Sequence, residues 1–428
     1  MSGLISCWCG RLVLTALLCC LFLARTARAD DFALRDGDTV VFLGDSITAA
    51  RSYGKMIENY TLLRFPQRKI RFINAGIGGD TAAGGLKRLE RDVFAQGATV
   101  LTVAFGTNDI GWGVFADEEH KRTYLEAVRG IVTECRKRGV RVFICSAAVT
   151  GADPNTSEES FLQKMCDEGM EISRSLGGGA IDVQRAMREV QKRVWKFNES
   201  ITDPTKKYSL HVADGVHLND LGQLAMAYAI LKGLGAPATV SDCTIDAGES
   251  KLIAANGCKV SDVVRTGDRL EFTRLDEGLP FNYGLFFALH FAFVPVPNEL
   301  NRYLLTVKNL PNGKYDVTAD ERGVGTFTSQ QLSAGVNIAS TTSNGWEPGG
   351  PWNAQASVLL SLTNARGELG AALTQANVYI KQGDLPAELA KQAAASNERL
   401  EANQRTVAQP RPYRFLIEPS KPDEKSKK

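Results

Sequence analysis

Histidine is scarce in this sequence, with four in 428 residues, and there is no Cys-x-x-Cys pair and no His-rich tract. These absences remove the common ligand spacings of a metal site, so no metal and no other cofactor is expected. Excess charge of one sign is also missing. Lys and Arg number 50 against 48 Asp and Glu, a formal net charge of +2, which leaves no electrostatic footprint for nucleic acid. No G-x-x-x-x-G-K-[ST] loop offers to cradle phosphates. No G-x-S-x-G elbow occurs, which argues against a typical α/β-hydrolase, and there is no internal repeat.

Long hydrophobic runs are limited to one, "LVLTALLCCLFLA" at residues 12–24, shorter than the ~20 apolar residues of a spanning helix. It follows Arg11 and precedes "RTARA", where Ala27 and Ala29 satisfy the small-residue rule for signal-peptidase cleavage. Residues 1–29 therefore read as a signal peptide. The mature chain starts at Asp30, exported to a periplasmic or extracellular location, with no membrane span after cleavage. Arg25 and Arg28 leave an uncleaved anchor open. Of nine cysteines, Cys7, Cys9, Cys19 and Cys20 leave with the leader. The odd five that remain make no disulfide framework. Cys135 and Cys145 read as buried small hydrophobes, and pairing of Cys243 with Cys258 is open.

Residues 36–236 alternate strand and helix patterns. Short apolar runs at 39–44, 69–76, 98–106, 140–147 and 180–184 are separated by helical stretches, including one over 81–97. Such alternation predicts a parallel sheet covered on both faces, with sites beyond the carboxyl ends of its strands. After Pro237 the pattern becomes β-like and then helical. Residues 281–297 read as a core-filling connector. The "PNGK" at 311–314 reads as a hairpin turn within a small antiparallel unit, and 352–383 as helix. Leu389, Ala393, Ser396, Leu400 and Val407 mark the packing face of another helix. The expected organisation is a leader (1–29), a first domain (30–236), an accessory region (237–415) and a disordered tail (416–428).

Four segments carry candidate chemistry: "FLGDSITAA" (42–50), "NAGIGGDTAAGGL" (74–86), "FGTNDIGWG" (105–113) and "ADGVHLNDLG" (213–222). Each alone has ordinary turn composition. The first three follow the first three strands, so Ser46, Gly79 and Asn108 project at one edge of the sheet. A serine hydroxyl becomes a useful nucleophile only when a base accepts its proton. His217 is the candidate base, and Asp214, three residues earlier, can hold its imidazole in the working tautomer. His211 competes for the role but has no carboxylate at that spacing. Asp45 reads as a brace of the serine turn.

In order and spacing the four segments resemble the sequence blocks of the SGNH (GDSL-type) hydrolase family. Those blocks are Gly-Asp-Ser-[Leu/Ile], Asn-x-x-x-x-Gly-Asp-Thr, Gly-x-Asn-Asp and Asp-x-x-His. The resemblance spans roughly residues 36–236. The fold class expected is α/β, a flavodoxin-like three-layer α/β/α domain with a five-stranded parallel sheet, followed by a C-terminal region with a small β unit and helices. The resemblance implies a serine esterase with Ser46, Asp214 and His217 as catalytic residues. It implies an oxyanion hole formed by the backbone N–H groups of Ser46 and Gly79 and the amide of Asn108. Asn74, Asp80 and Asp109 are expected to brace these loops, with Gly44 and Gly106 as turn glycines.

The partner expected is an ester substrate, first of all an acylated carbohydrate, the reaction being O-acetyl ester hydrolysis. Trp112 would then stack on a sugar or wall an acyl pocket, with simple packing as its other reading. The "SNGWEPGGPWNAQ" loop (343–355) is either carbohydrate-facing or a plain join. Alternatives left open are a lipase, lysophospholipase or thioesterase using 281–297 as an acyl groove, an acyltransferase, and a catalytically inactive polymer-binding surface protein. Oligomeric state is left open.

Overall fold

The computed structural model describes residues 32–151, 153–380 and 383–421. The expected leader and residues 422–428 of the expected tail lie outside the described residues. Five strands, β1 (Thr39–Gly44), β2 (Arg71–Gly76), β3 (Val100–Ala104), β4 (Arg141–Cys145) and β5 (Gly179–Ile181), form a sheet in the order β2-β1-β3-β4-β5. Every neighbouring pair is parallel, as the β/α alternation predicts. The chain leaves β1 outward to β2 and returns on the other side to β3, so the topological switch point lies between β1 and β3.

The period of two along a strand sends successive side chains to opposite faces. Val40 and Phe42 join a core with α2 (Ser52–Arg64), α6 (Val183–Asn198) and α7 (Asp220–Gly233). Val41 and Leu43 join another with α3 (Ala82–Lys87), α4 (Glu118–Lys137) and α5 (Phe161–Ser175). These are the three layers. A short helix, α1 (Ser46–Ala49), opens directly after β1. The single helix expected over 81–97 is instead α3 followed by a π-helical turn, Glu90–Phe94. The break falls at Arg88, whose guanidinium is drawn into the loops at the strand ends.

The C-terminal region contains two further sheets. The first joins β6 (Thr239–Asp246), β7 (Lys251–Asn256), β10 (Arg302–Lys308) and β13 (Val336–Asn337), with β6 and β10 parallel. The second is antiparallel, in the order β12-β11-β14-β9-β8. Its strands are β8 (Cys258–Thr266), β9 (Arg269–Asp276), β11 (Lys314–Ala319), β12 (Arg322–Thr328) and β14 (Tyr413–Pro419). The two sheets share one core, with Ile245 and Leu305 from the first and Phe272, Val317 and Phe415 from the second. Short helices α8 (Val296–Glu299) and α9 (Ser329–Ala334) precede two long ones, α10 (Pro351–Tyr379) and α11 (Leu385–Ala408).

Two expectations change here and a third is met. The Pro311–Lys314 turn is not a hairpin, because β10 and β11 belong to different sheets and the turn carries the chain between them. The hairpin lies one strand later. Asp320 and Glu321 join β11 to β12 with φ of 45° and 64°, and positive φ at both central residues matches the right-handed twist of the paired strands. Residues 416–419 of the expected tail belong instead to β14, which runs to Pro419 between β11 and β9. Its alternation of buried and exposed residues marks a half-buried strand. The 281–297 connector does fill core, but that of the α/β domain: Phe281, Phe293, Val294 and Val296 pack with the α2, α6 and α7 layer.

The five cysteines among the described residues are free and buried. The thiols of Cys243 and Cys258 touch one another. A polar knot ties the long helices to α2. Arg366 on α10 pairs with Glu58 on α2 and donates to Glu401 and Asn397 of α11 at 2.9 Å each. Gln404 donates to Glu58 at 2.8 Å and to Thr363 at 2.7 Å, and Thr363 donates to Asn59 at 2.6 Å.

Candidate active site

The loop after β1 is set by Asp45, which caps α1 by accepting from the N–H of Ile47 at 3.0 Å. This is the brace expected of it. Burial raises the Asp45 carboxyl to about 6. Gly44 has no room for a Cβ, which would lie 2.1 Å from Thr48 Oγ1 and 2.8 Å from the carbonyl oxygen of Ala104. Ser46 therefore stands at the first position of a helix whose turn is pressed against β1 and β3.

Ser46 and His217, 171 residues apart, meet with Oγ 2.8 Å from Nε2. On the other side of the ring, His217 Nδ1 lies 2.6 Å from Asp214 Oδ2. Asp214 Oδ1 also accepts from the backbone N–H groups of Val216 and His217, each at 2.8 Å. The His217 ring and these N–H groups hold the Asp214 carboxyl down at about 2, so it is ionised wherever the protein is folded near neutrality. The side chains of His217 and Asp214 are 35% and 33% exposed, open enough for a substrate to approach. His211 takes no part. It is buried, and its Nε2 lies 2.7 Å from the carbonyl oxygen of Val149.

The loop after β2 carries Gly79 at φ 74°, with nothing within 4 Å of where a Cβ would lie. Glycine is needed there for its left-handed backbone rather than for space. Asn74 braces this loop by donating to the carbonyl of Thr48 at 2.7 Å. Asp80 accepts from Arg88 Nε at 2.7 Å. In the loop after β3, Asn108 Nδ2 donates to the carbonyl of Asp80 at 3.0 Å, and Asn108 Oδ1 accepts from Trp112 Nε1 at 2.8 Å. Asp109 Oδ1 accepts from the N–H of Ala82 at 2.9 Å, joining the third loop to α3. Burial lifts the Asp109 carboxyl to about 7. Gly106 sits at φ 136°. Trp112 is half exposed, and its ring meets that of His217 edge to face, with centroids 5.5 Å apart.

Arg88 is the residue that sequence reasoning missed. Its Nη1 donates to the carbonyl of Ala75 at 2.7 Å and its Nη2 to that of Gly44 at 3.2 Å. One guanidinium thus gathers the ends of β1 and β2 and the Asp80 carboxylate. Helical spacing does not distinguish Arg88 from Lys87 and Arg91, its neighbours in "LKRLERDVF"; only the break after α3 turns it inward.

Ser46, His217 and Asp214 stand in line, beside an amide and a glycine loop, in the arrangement that a serine hydrolase site requires. Residues 42–225 match the model of the GDSL-like lipase/acylhydrolase family, and this part of the chain is a carboxylic ester hydrolase domain of that type. An acetylxylan esterase from Geobacillus stearothermophilus is 26% identical over 223 residues, which cover 46% of this chain and 94% of that protein. The uncharacterized lipoprotein YqeF of Bacillus subtilis is 30% identical over 116 residues, 25% of this chain and 47% of the lipoprotein. The solved structure of BT4096, a gut microbial diltiazem-metabolizing enzyme, superposes with a TM-score of 0.77 at 22% identity. That match covers 91% of this chain and all of the other, so the α/β domain with its C-terminal region recurs as a fold.

Proposed function

We propose that the protein is an exported carbohydrate O-acetyl esterase that works through an acyl-enzyme on Ser46. The observation that carries the mechanism is the unbroken line from Ser46 Oγ through His217 to Asp214, at 2.8 and 2.6 Å. His217 Nε2 takes the Ser46 proton as Oγ bonds to the ester carbonyl carbon, and Asp214 stabilises the imidazolium that forms. The backbone N–H groups of Ser46 and Gly79 and Asn108 Nδ2 receive the developing oxyanion. The intermediate collapses with departure of the alcohol, which takes the proton from His217. Water, deprotonated by the same His217, then attacks the acyl carbon and releases acetate and free Ser46.

A short acyl group on a sugar suits the surroundings. The acetylxylan esterase relative matches over 223 residues, 94% of its own length. Trp112, half exposed beside His217, offers a ring face of the kind sugars stack on. Of the run that the lipid alternative would use as a groove, Phe281, Phe293, Val294 and Val296 are buried in the core, while Leu289 is exposed. The test is acetate release from a panel of acetylated polysaccharides, with Ser46→Ala as the control. Release that depends on Ser46 is expected. Preference for long-chain over acetyl p-nitrophenyl esters would sink the deacetylase assignment.

A further inference from the structure

Resting on that assignment of the oxyanion donors, we propose that Trp112 is a positioning residue: its indole N–H fixes the Asn108 amide so that one Nδ2–H faces the reacting carbonyl. A primary amide has one carbonyl oxygen and two N–H donors. The Asn108 oxygen is taken by Trp112 Nε1 at 2.8 Å, and one N–H is taken by the Asp80 carbonyl at 3.0 Å. One N–H remains for an oxyanion. A flipped amide would set oxygen against the Asp80 carbonyl and N–H against the indole N–H, two repulsive contacts in place of two bonds. Asp80 directly follows Gly79, so the Asn108–Asp80 bond also locks the two oxyanion loops to each other.

Trp112 is held for this purpose at a conformational cost. Its φ is 57°, between Gly111 at 52° and Gly113 at 97°. A left-handed backbone is unfavourable for any residue but glycine. Core packing does not account for keeping tryptophan there, since the side chain is half exposed. What the indole reaches does: Asn108 through its N–H and His217 through its ring. Donation into Oδ1 also polarises the amide and strengthens its remaining N–H as a donor.

Trp112→Phe separates this role from substrate stacking, because phenylalanine keeps an aromatic ring and loses the N–H. With p-nitrophenyl acetate, kcat is expected to fall about tenfold while KM stays within about twofold. In an Asn108→Ala background, itself down by about a hundredfold or more, Trp112→Phe should cause no further loss. An unchanged kcat, a rise in KM alone, or full multiplication of the two losses would overturn the proposal. Fluorophosphonate labelling tells its failure from failure of the underlying assignment. If Ser46 of the wild type resists the probe, both fall; if Ser46 is labelled in wild type and variant while kcat is unchanged, the role of Trp112 falls alone.

Discussion

The protein holds two polar clusters built from similar groups and put to opposite use. At the sheet edge, Ser46, His217 and Asp214 form a chain that is about one-third exposed at its His and Asp, beside an amide with one N–H to spare. Between α2 and the long helices, Glu58, Arg366, Glu401 and Gln404 are buried at about a tenth exposure or less and bonded to one another. Burial and hydrogen bonding alone therefore do not make a reactive centre. On the proposed mechanism the first cluster is reactive because it has capacity left over: a proton to move and a donor waiting. The second has used its capacity, and what it supplies is attachment of one layer to another.

The sharpest way to break that contrast is at Asp214. Asp214→Asn should lower kcat by about 10³–10⁴-fold through the wrong imidazole tautomer, with the urea midpoint little changed; a small kcat effect would mean His217 does not rely on Asp214. Arg366→Met should do the reverse. Stranding Glu58 without its partner should cost about 3–5 kcal/mol in urea unfolding, while the fraction of Ser46 labelled in native buffer holds steady. A matching loss of labelling would show the two clusters to be coupled.

Asp109 sharpens the comparison from between the two. It lies in the catalytic loops, yet it is buried, and its Oδ2 has no partner among the described residues. Burial lifts its folded carboxyl to about 7, above the ordinary aspartate value of 3.8, so the folded state binds that proton more tightly. The resulting stability is fully present below about pH 4 and is lost as pH rises through 7. Asp109→Asn should flatten this slope. The wild type's urea midpoint, relative to the variant's, is expected to be higher at pH 5 than at pH 8, and parallel profiles would refute the assignment. Asp45, raised by burial to about 6, adds a slope of the same sign.

What could be read from the sequence follows the range of the forces involved. Strands β1 to β5 announce themselves through their apolar runs, and the four candidate blocks through an order and spacing that resemble those of the SGNH hydrolases. The C-terminal region is harder. Its sheets are assembled from distant strands, so Pro311–Lys314 resembles a hairpin while the partners of β11 are β12 and β14. Arg88 and the Trp112–Asn108 bond escape for a related reason. Nothing in local spacing tells an inward guanidinium from a solvated one, or says which atom an indole N–H will meet.

Strand β14 has a consequence for synthesis. It is the middle strand of the antiparallel sheet, yet among the described residues it comes after every other element. Until Tyr413–Pro419 has emerged, β11 and β9 each present an open edge, and the accessory region cannot close. All five strands of the catalytic sheet and the residues of its site are translated long before, and domains translated first tend to fold first. A ribosome that stops short of residue 413 would therefore release a chain with a formed hydrolase sheet and two adhesive edges, a species for quality control to find.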